Sequence, residues 1–136
     1  MITAVDLSVV LDVLGADPRF GERSRVALRR SIAEGSLLAC DVVWAEVAAA
    51  FASEDESARA LAQLGVRFSG IDSRAAAAAG TTFRTYRRAG GTRERLIADF
   101  LVGAHALTQA DRLLTRDRGF YRSYFARLTI VDPAKP

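Results

Sequence analysis

Four acidic residues stand at the ends of apolar runs in this chain of 136 residues. Their contexts are Val5-Asp6-Leu7-Ser8, Trp44-Ala45-Glu46-Val47, Ile97-Ala98-Asp99-Phe100 and Leu114-Thr115-Arg116-Asp117. A lone carboxylate beside a core is costly to desolvate, so four of them suggest that they converge and share a cation or a proton. The first hypothesis is therefore a metal site built from oxygen ligands.

The few histidine and cysteine residues limit which metal sites and which catalytic mechanisms are possible. His105 is the only histidine and Cys40 the only cysteine. The chain therefore cannot build a tetrahedral zinc site from nitrogen and sulfur ligands, nor use two histidines as acid and base. Carboxylate ligands suit Mg²⁺ or Mn²⁺, which keep much of their own water and bind substrate phosphates through the remaining positions. These residue types favour phosphoryl chemistry.

Apolar runs alternate with helical patterns and indicate how these acids could be positioned. Strands are predicted at 2–5, 36–40, 66–69, 113–115 and 128–131,. We predict a three-layer α/β/α fold with a mainly parallel central sheet of about five strands. In such sheets ligands collect at the carboxyl ends of the strands, near a switch in strand order. Asp6 and Asp117 follow predicted strands, and Glu46 and Asp99 can join them from helices.

Capping patterns predict where several helices begin and end. The expected starts are at Ser8, Asp41, Ser73 and Ser53, the last with Glu56 three residues later, and the expected ends are at Gly65 and Gly90-Gly91. A further apolar helix is expected from Leu96 to Leu107.

The amino-acid composition limits which classes of protein the chain can belong to. With 50% hydrophobic residues the chain can bury a core without disulfides, and we expect a single domain over 1–136,. The N-terminus has no basic segment followed by a long apolar one, and no apolar run approaches the length of a membrane span, so a cytoplasmic protein is expected. Every cation except Lys135 is an arginine. This suits phosphate contacts, although coding bias and a solvated surface explain it equally well.

The chain resembles the PIN-domain nucleases, and within them the VapC toxins of bacterial toxin–antitoxin systems. The resemblance covers nearly the whole chain. It rests on Val5-Asp6-Leu7-Ser8-Val9-Val10-Leu11-Asp12, Ala45-Glu46-Val47, Asp99-Phe100-Leu101-Val102-Gly103-Ala104-His105-Ala106 and Leu113-Leu114-Thr115-Arg116-Asp117. Leu7 departs from the threonine that is more usual in the family, which removes no ligand.

The resemblance implies an acidic quartet of Asp6, Glu46, Asp99 and Asp117, the same residues chosen above from their settings. It implies that Ser8 and Thr115 orient the carboxylates. The implied activity is Mg²⁺- or Mn²⁺-dependent endonucleolytic cleavage of RNA by a metal-activated water. The implied partners are RNA and a VapB-like antitoxin, and we expect a homodimer and no membrane partner.

Alternatives remain for several residues. Asp41 competes with Glu46, although its place before a helix favours capping, and Asp12 is expected to be a solvated helical residue. His105 is expected to be a packed structural histidine. Two pairs of arginines that flank the acids are candidates for holding the RNA backbone, with surface charge as the alternative: Arg93, Arg95, Arg116 and Arg118.

Two other classes of protein share part of this pattern. A receiver-type phosphoacceptor domain also combines a parallel sheet, acids at strand ends and Mg²⁺, but it needs a lysine after the last strand. Lys135 is the only lysine and lies in the predicted C-terminal tail. A catalytically silent PIN-like binding module is the third possibility, and the intact acids argue against it.

Overall fold

Five short strands form the central sheet of the computed structural model, which describes residues 1–135. They are β1 (Ile2–Val5), β2 (Ser36–Cys40), β3 (Val66–Ser69), β4 (Arg112–Leu114) and β5 (Ile130–Val131). All neighbouring strands are parallel, and their order is β3-β2-β1-β4-β5. Leu37, Leu113 and Leu114 are buried in this sheet, as expected when helices cover both faces.

Seven helices surround the sheet in the described part of the chain. They are α1 (Leu7–Leu14), α2 (Gly21–Glu34), α3 (Asp41–Ala49), α4 (Glu54–Gln63), α5 (Ser73–Arg88), α6 (Ile97–Gln109) and α7 (Arg118–Tyr124). Because crossovers between parallel strands are right-handed, the strand order implies that α1 to α4 cover one face of the sheet and α5 to α7 the other,. The predicted three-layer α/β/α fold is therefore confirmed. None of these helices, within residues 1–135, has both the length and the apolar character needed to span a bilayer.

Three helix starts differ from the predictions. Asp6 caps α1 by accepting from the Leu7 backbone N at 2.9 Å, so Ser8 lies inside the helix. Asp72 caps α5 by accepting from the Ala75 backbone N at 2.8 Å, ahead of Ser73. In both cases a carboxylate, which the positive end of the helix dipole also attracts, lies upstream of the serine. Asp41 is the first residue of α3 and not its cap.

The predicted start at Ser53 and the predicted ends at Gly65 and Gly90 are confirmed, whereas the helix expected from Leu96 to Leu107 runs from Ile97 to Gln109. The Ser53 hydroxyl accepts from the Glu56 backbone N at 3.2 Å at the start of α4. Gly65 and Gly90 follow α4 and α5 with φ of 78° and 86°, a left-handed conformation that favours glycine,.

An aromatic cluster joins α5, α6 and α7. The Phe100 ring lies 5.2 Å from Phe83, 5.4 Å from Tyr86 and 5.2 Å from Phe120, between centroids. Phe100 is fully buried. Because successive residues of a helix point in different directions, this anchor turns the preceding Asp99 away from the core.

Candidate active site

The candidate site lies where β1 and β4 end side by side. Val5 pairs with Leu114 in the parallel register, and the Asp6 backbone N donates to the Leu114 carbonyl at 2.9 Å. From β1 the chain passes to β2 on one side, whereas β4 lies on the other side. This is the switch in strand order at which α/β sheets bind their ligands.

Thr115 connects two of the predicted acids. Its Oγ1 donates to Asp6 Oδ2 at 2.7 Å and accepts from the Asp117 backbone N at 2.9 Å. Thr115 is completely buried, so this hydroxyl has little freedom to turn elsewhere. The hydrogen bond expected from Thr115 to a carboxylate is thus present.

Arg95 connects Asp117 to the third aspartate, Asp99. Its Nη1 donates to Asp117 Oδ2 at 2.6 Å and lies 3.9 Å from Asp99 Oδ1. Its guanidinium stacks over the Phe120 ring, 4.2 Å from the centroid. The hydrogen bond to Asp117 raises the pKa of Arg95 above its ordinary value. Arg95 was predicted as an RNA contact, and sequence reasoning missed its direct pairing with the acids.

Glu46 faces the same cluster from the second turn of α3. Desolvation raises its pKa, and the negative charges of Asp6 and Asp99 raise it further. Asp41, its competitor, lies at the start of α3, where its charge acts on Cys40 and His105 instead. This electrostatic pattern favours Glu46 over Asp41 as the fourth acid of the site.

Burial and mutual repulsion shape the charge of the cluster. Desolvation raises the pKa of Asp6, the hydrogen bonds from Thr115 and the Leu7 backbone N oppose this, and the charges of Asp117 and Asp99 add to it. The Tyr121 hydroxyl is buried beside the same three aspartates, and its pKa is raised by desolvation and by their charges. Tyr121 was not identified from the sequence because α7 was not predicted.

Helix N-termini offset part of this repulsion. Asp6 is the cap of α1, and Asp99 lies in the first turn of α6, where its Oδ2 accepts from the Leu96 backbone N at 3.0 Å. The positive ends of two helix dipoles therefore point at the acids and favour their ionised forms.

The donor set fits a hard divalent cation in its chemistry. Its side chains offer oxygen ligands only, which suits Mg²⁺ or Mn²⁺. The Ser8 hydroxyl, expected to orient a carboxylate, is buried and has no hydrogen-bond partner in residues 1–135, so one more oxygen is available there. As these side chains stand, however, no group of three or more His, Cys, Asp or Glu residues in 1–135 is close enough to hold an ion.

Asp12 corrects the sequence analysis. Its carboxylate is buried and receives Nε and Nη2 of Arg116 at 2.7 and 3.0 Å. The prediction of a solvated helical residue was wrong because this side of α1 packs under α2 and the segment that follows β4. The signal was present, since Asp12 stands three residues after the buried Val9, on the same face of α1,.

The other two arginines that were predicted to contact RNA form weaker ion pairs, or none, in residues 1–135. Arg118 Nε lies 3.9 Å from Asp132 Oδ2. Arg93 is exposed and forms no ion pair with any residue in 1–135. Their contact with RNA stays a prediction. The pairing of Arg116 with Asp12 does not favour the RNA contact predicted for it.

His105 is a structural residue, as predicted. It is buried on α6, and its Nε2 lies 2.9 Å from Ser69 Oγ at the end of β3. Desolvation lowers its pKa. The neutral ring is thus used for packing and for a hydrogen bond to the neighbouring strand.

Solved structures share this fold at low sequence identity. The chain is similar to chains in VapBC2 from Rickettsia felis bound to a promoter DNA fragment (TM-score 0.75, 12% identity, 97% of this chain and 98% of that chain covered). It is similar to VapBC-1 from nontypeable Haemophilus influenzae (0.74, 17%, 99% and 100%). It is also similar to FitAcB from Neisseria gonorrhoeae (0.70, 24%, 100% and 100%).

Sequence comparison adds the family. No curated protein sequence is significantly similar to this chain. The PIN domain family matches residues 3–126, from the second residue of β1 to just past α7, and this range contains all four predicted acids. The chain therefore belongs to the PIN-domain family.

Proposed function

We propose that this protein is a Mg²⁺- or Mn²⁺-dependent endoribonuclease that acts as the toxin of a VapBC-type toxin–antitoxin pair. Asp6, Glu46, Asp99 and Asp117 are its proposed metal ligands and catalytic residues. The observation that carries the proposal is the network at the switch in strand order: Thr115 contacts Asp6 and the Asp117 backbone, and Arg95 reaches both Asp117 and Asp99.

The proposed roles follow from the contacts. Thr115 holds Asp6 and the Asp117 backbone in a fixed relation, and Arg95 screens the repulsion between Asp99 and Asp117. When bound, the cation supplies a lowered pKa for a water and neutralises charge on the phosphate and the leaving oxygen. Arg93, Arg95 and Arg118 are candidates to hold the RNA backbone.

Water is the proposed nucleophile. Attack by the 2′-hydroxyl of the RNA requires an acid and a base poised near neutral pH, usually histidines. His105, the only histidine, is buried against Ser69. Attack of water on the phosphorus with departure of the 3′ oxygen would leave a 5′ phosphate on one product and a 3′ hydroxyl on the other.

Incubation with cellular RNA tests this activity. We expect cleavage that stops with EDTA, returns with Mg²⁺ or Mn²⁺, and yields 5′-phosphate ends on mapping. Asp99→Asn and Glu46→Gln should lower the rate by about a hundredfold or more, since each removes a proposed ligand. Asp41→Asn is the matched control on α3 and should keep wild-type activity. Chelator-resistant cleavage that leaves 2′,3′-cyclic phosphates would refute the mechanism.

The toxin role is supported by the likeness to chains of VapBC and FitAcB complexes. We propose a VapB-like antitoxin that blocks the acidic site, a homodimer as the active assembly, and the cytoplasm as the location. Partner binding can bury apolar surface and pair an arginine with the carboxylates.

Expression in a bacterial host tests this role. The wild-type chain should arrest growth, and Asp6→Asn or Asp99→Asn should not. Co-expression of the cognate antitoxin should restore growth, and the inactive variants should still bind it. Growth that is unaffected by the wild-type chain, together with no partner recovered from its own host, would reduce the proposal to a PIN nuclease without a toxin role.

A further inference from the structure

Arg116 lies between two residues of the candidate site. Thr115 contacts Asp6, and Asp117 contacts Arg95. The backbone position of Arg116 therefore determines where both neighbours stand. Thr115 is also tied to β5 by its backbone N, which donates to the Val131 carbonyl at 3.0 Å.

The Arg116 side chain runs away from the acids and into the layer of α1 and α2. Its guanidinium makes a two-pronged contact with Asp12 at 2.7 and 3.0 Å, and it stacks over the Phe20 ring at 4.1 Å from the centroid. A planar guanidinium held on two oxygens and one ring has a single favourable orientation.

Asp12 is itself held from a third direction. Ser24 Oγ, on α2, donates to Asp12 Oδ2 at 2.8 Å. The Asp12 side chain is 5% exposed, compared with 28% for that of Arg116. Asp12, Arg116 and Ser24 therefore form a clamp, mostly shielded from water. The clamp joins helices α1 and α2 to the segment between β4 and α7.

We propose that this clamp is a positioning device for the metal site: Asp12, through Arg116, fixes the backbone that carries Thr115 and Asp117. The inference rests on the proposed function. Asp12 and Arg116 are positioning residues, since neither contacts the four acids in this arrangement. An outer partner of this kind typically changes metal affinity by about 10- to 100-fold.

The chain offers a matched control at the other end of the same strand. Arg112 begins β4, where its Nη2 donates to Glu34 Oε2 at 2.6 Å and its Nε donates to Thr3 Oγ1 at 2.9 Å. Both arginines form an ion pair with a helix: Arg112 with Glu34 on α2, and Arg116 with Asp12 on α1. Only Arg116 is next in the chain to residues of the candidate site. Arg112→Lys should disturb the fold to a similar extent without reaching the site.

Binding of Mn²⁺ alone to the full chain tests the clamp. Mn²⁺ would be titrated into wild type, Arg116→Lys, Asp12→Asn and Arg112→Lys, with free Mn²⁺ followed by electron paramagnetic resonance and folding followed by urea unfolding. We expect Arg116→Lys and Asp12→Asn to bind Mn²⁺ about tenfold more weakly or worse. Arg112→Lys should bind within about twofold of wild type because the acids keep their positions.

Hydrogen exchange provides a second measurement that needs no metal. The Asp117 amide donates to Thr115 Oγ1, so loosening of the clamp should speed its exchange in Arg116→Lys and Asp12→Asn but not in Arg112→Lys.

Three outcomes would overturn the inference. Unchanged Mn²⁺ affinity in folded Arg116→Lys and Asp12→Asn would reduce the clamp to a structural contact. Failure of both variants to fold, while Arg112→Lys folds, would have the same meaning. A wild-type chain that binds no Mn²⁺ would overturn the proposed function together with the clamp, so the two failures are distinguishable.

Discussion

At the scale of one residue, Asp6 shows how the fold keeps a carboxylate in a place where burial and neighbouring negative charges disfavour its ionised form. The fold buries its carboxylate and places it near the charges of Asp117 and Asp99, and both effects raise its pKa. Hydrogen bonds from Thr115 and from the Leu7 backbone N reduce the cost of its charge without removing it. In the absence of a cation, a charged Asp6 therefore destabilises the folded state.

Asp6→Asn tests this conclusion through pH. Because burial and repulsion raise the pKa of Asp6 in the folded state above its ordinary value, the folded state binds more protons than the unfolded state between these two pKa values. The free energy of unfolding of the wild type therefore falls as pH rises through this window, and the asparagine variant lacks that loss. We expect the difference in stability to shift in favour of Asp6→Asn as pH rises, and then to stay constant.

Urea unfolding with EDTA present, from about pH 3 to pH 7.5, measures this difference. Saturating Mn²⁺ should reverse it by stabilising the wild type, by about 2.7 kcal/mol at a hundred times the dissociation constant. A difference independent of pH would show that Asp6 is not strained by burial and repulsion.

At the scale of the element, two glycines in helices show how closely α6 must pack. A Cβ added at Gly103 on α6 would clash with the ring of Phe125, which is buried. A Cβ added at Gly80 on α5 would meet nothing within 4 Å. Substitutions at these two positions therefore distinguish the effect of side-chain packing from the effect of helix propensity.

Alanine at these positions should act in opposite directions. Gly103→Ala should lower the free energy of unfolding by about 1–3 kcal/mol because it overpacks the contact between α6 and Phe125. Gly80→Ala should raise it by about 0.5–1 kcal/mol because alanine is the better helix former. Thermal and urea unfolding measure both. A stabilised Gly103→Ala would mean that Phe125 moves aside freely.

Helix α7 forms through packing more than through local signals. It spans only Arg118–Tyr124 and has no side-chain cap. A helix this short is marginal by itself. Phe120 and Tyr121 are buried and contact the aromatic cluster, so tertiary contacts decide that the segment is helical. That is why no pattern in the sequence predicted it.

The whole molecule brings together residues that are far apart in the chain. Residues 6 and 115 are joined by a direct hydrogen bond only because β1 and β4 are neighbours in the order β3-β2-β1-β4-β5. The same fold recurs in structures with 12% and 24% identity to this chain, so the pattern of buried strands matters more than particular side chains. That residues 1–136 form one domain remains a prediction.

The sequence alone determined the layered fold and named the four acids. The alternation of strand patterns and helix patterns predicted the fold, because burying one face makes apolar residues recur at the spacing typical of a strand or a helix. The apolar settings of Asp6, Asp99 and Asp117 marked them as candidates, since a carboxylate is rarely placed beside a core without a partner. Family resemblance pointed to the same residues.

Only the tertiary structure decided which partners these residues have. Neither the order of the strands nor the pairing of Asp12 with Arg116, 104 positions apart, is encoded in a local pattern. Arg95 and Arg116 look alike in the sequence as arginines near an acid, yet one contacts the acids of the site and the other a buried aspartate behind it. The physical reason is that a side chain's partner depends on which elements pack together, and that packing is settled by the whole core.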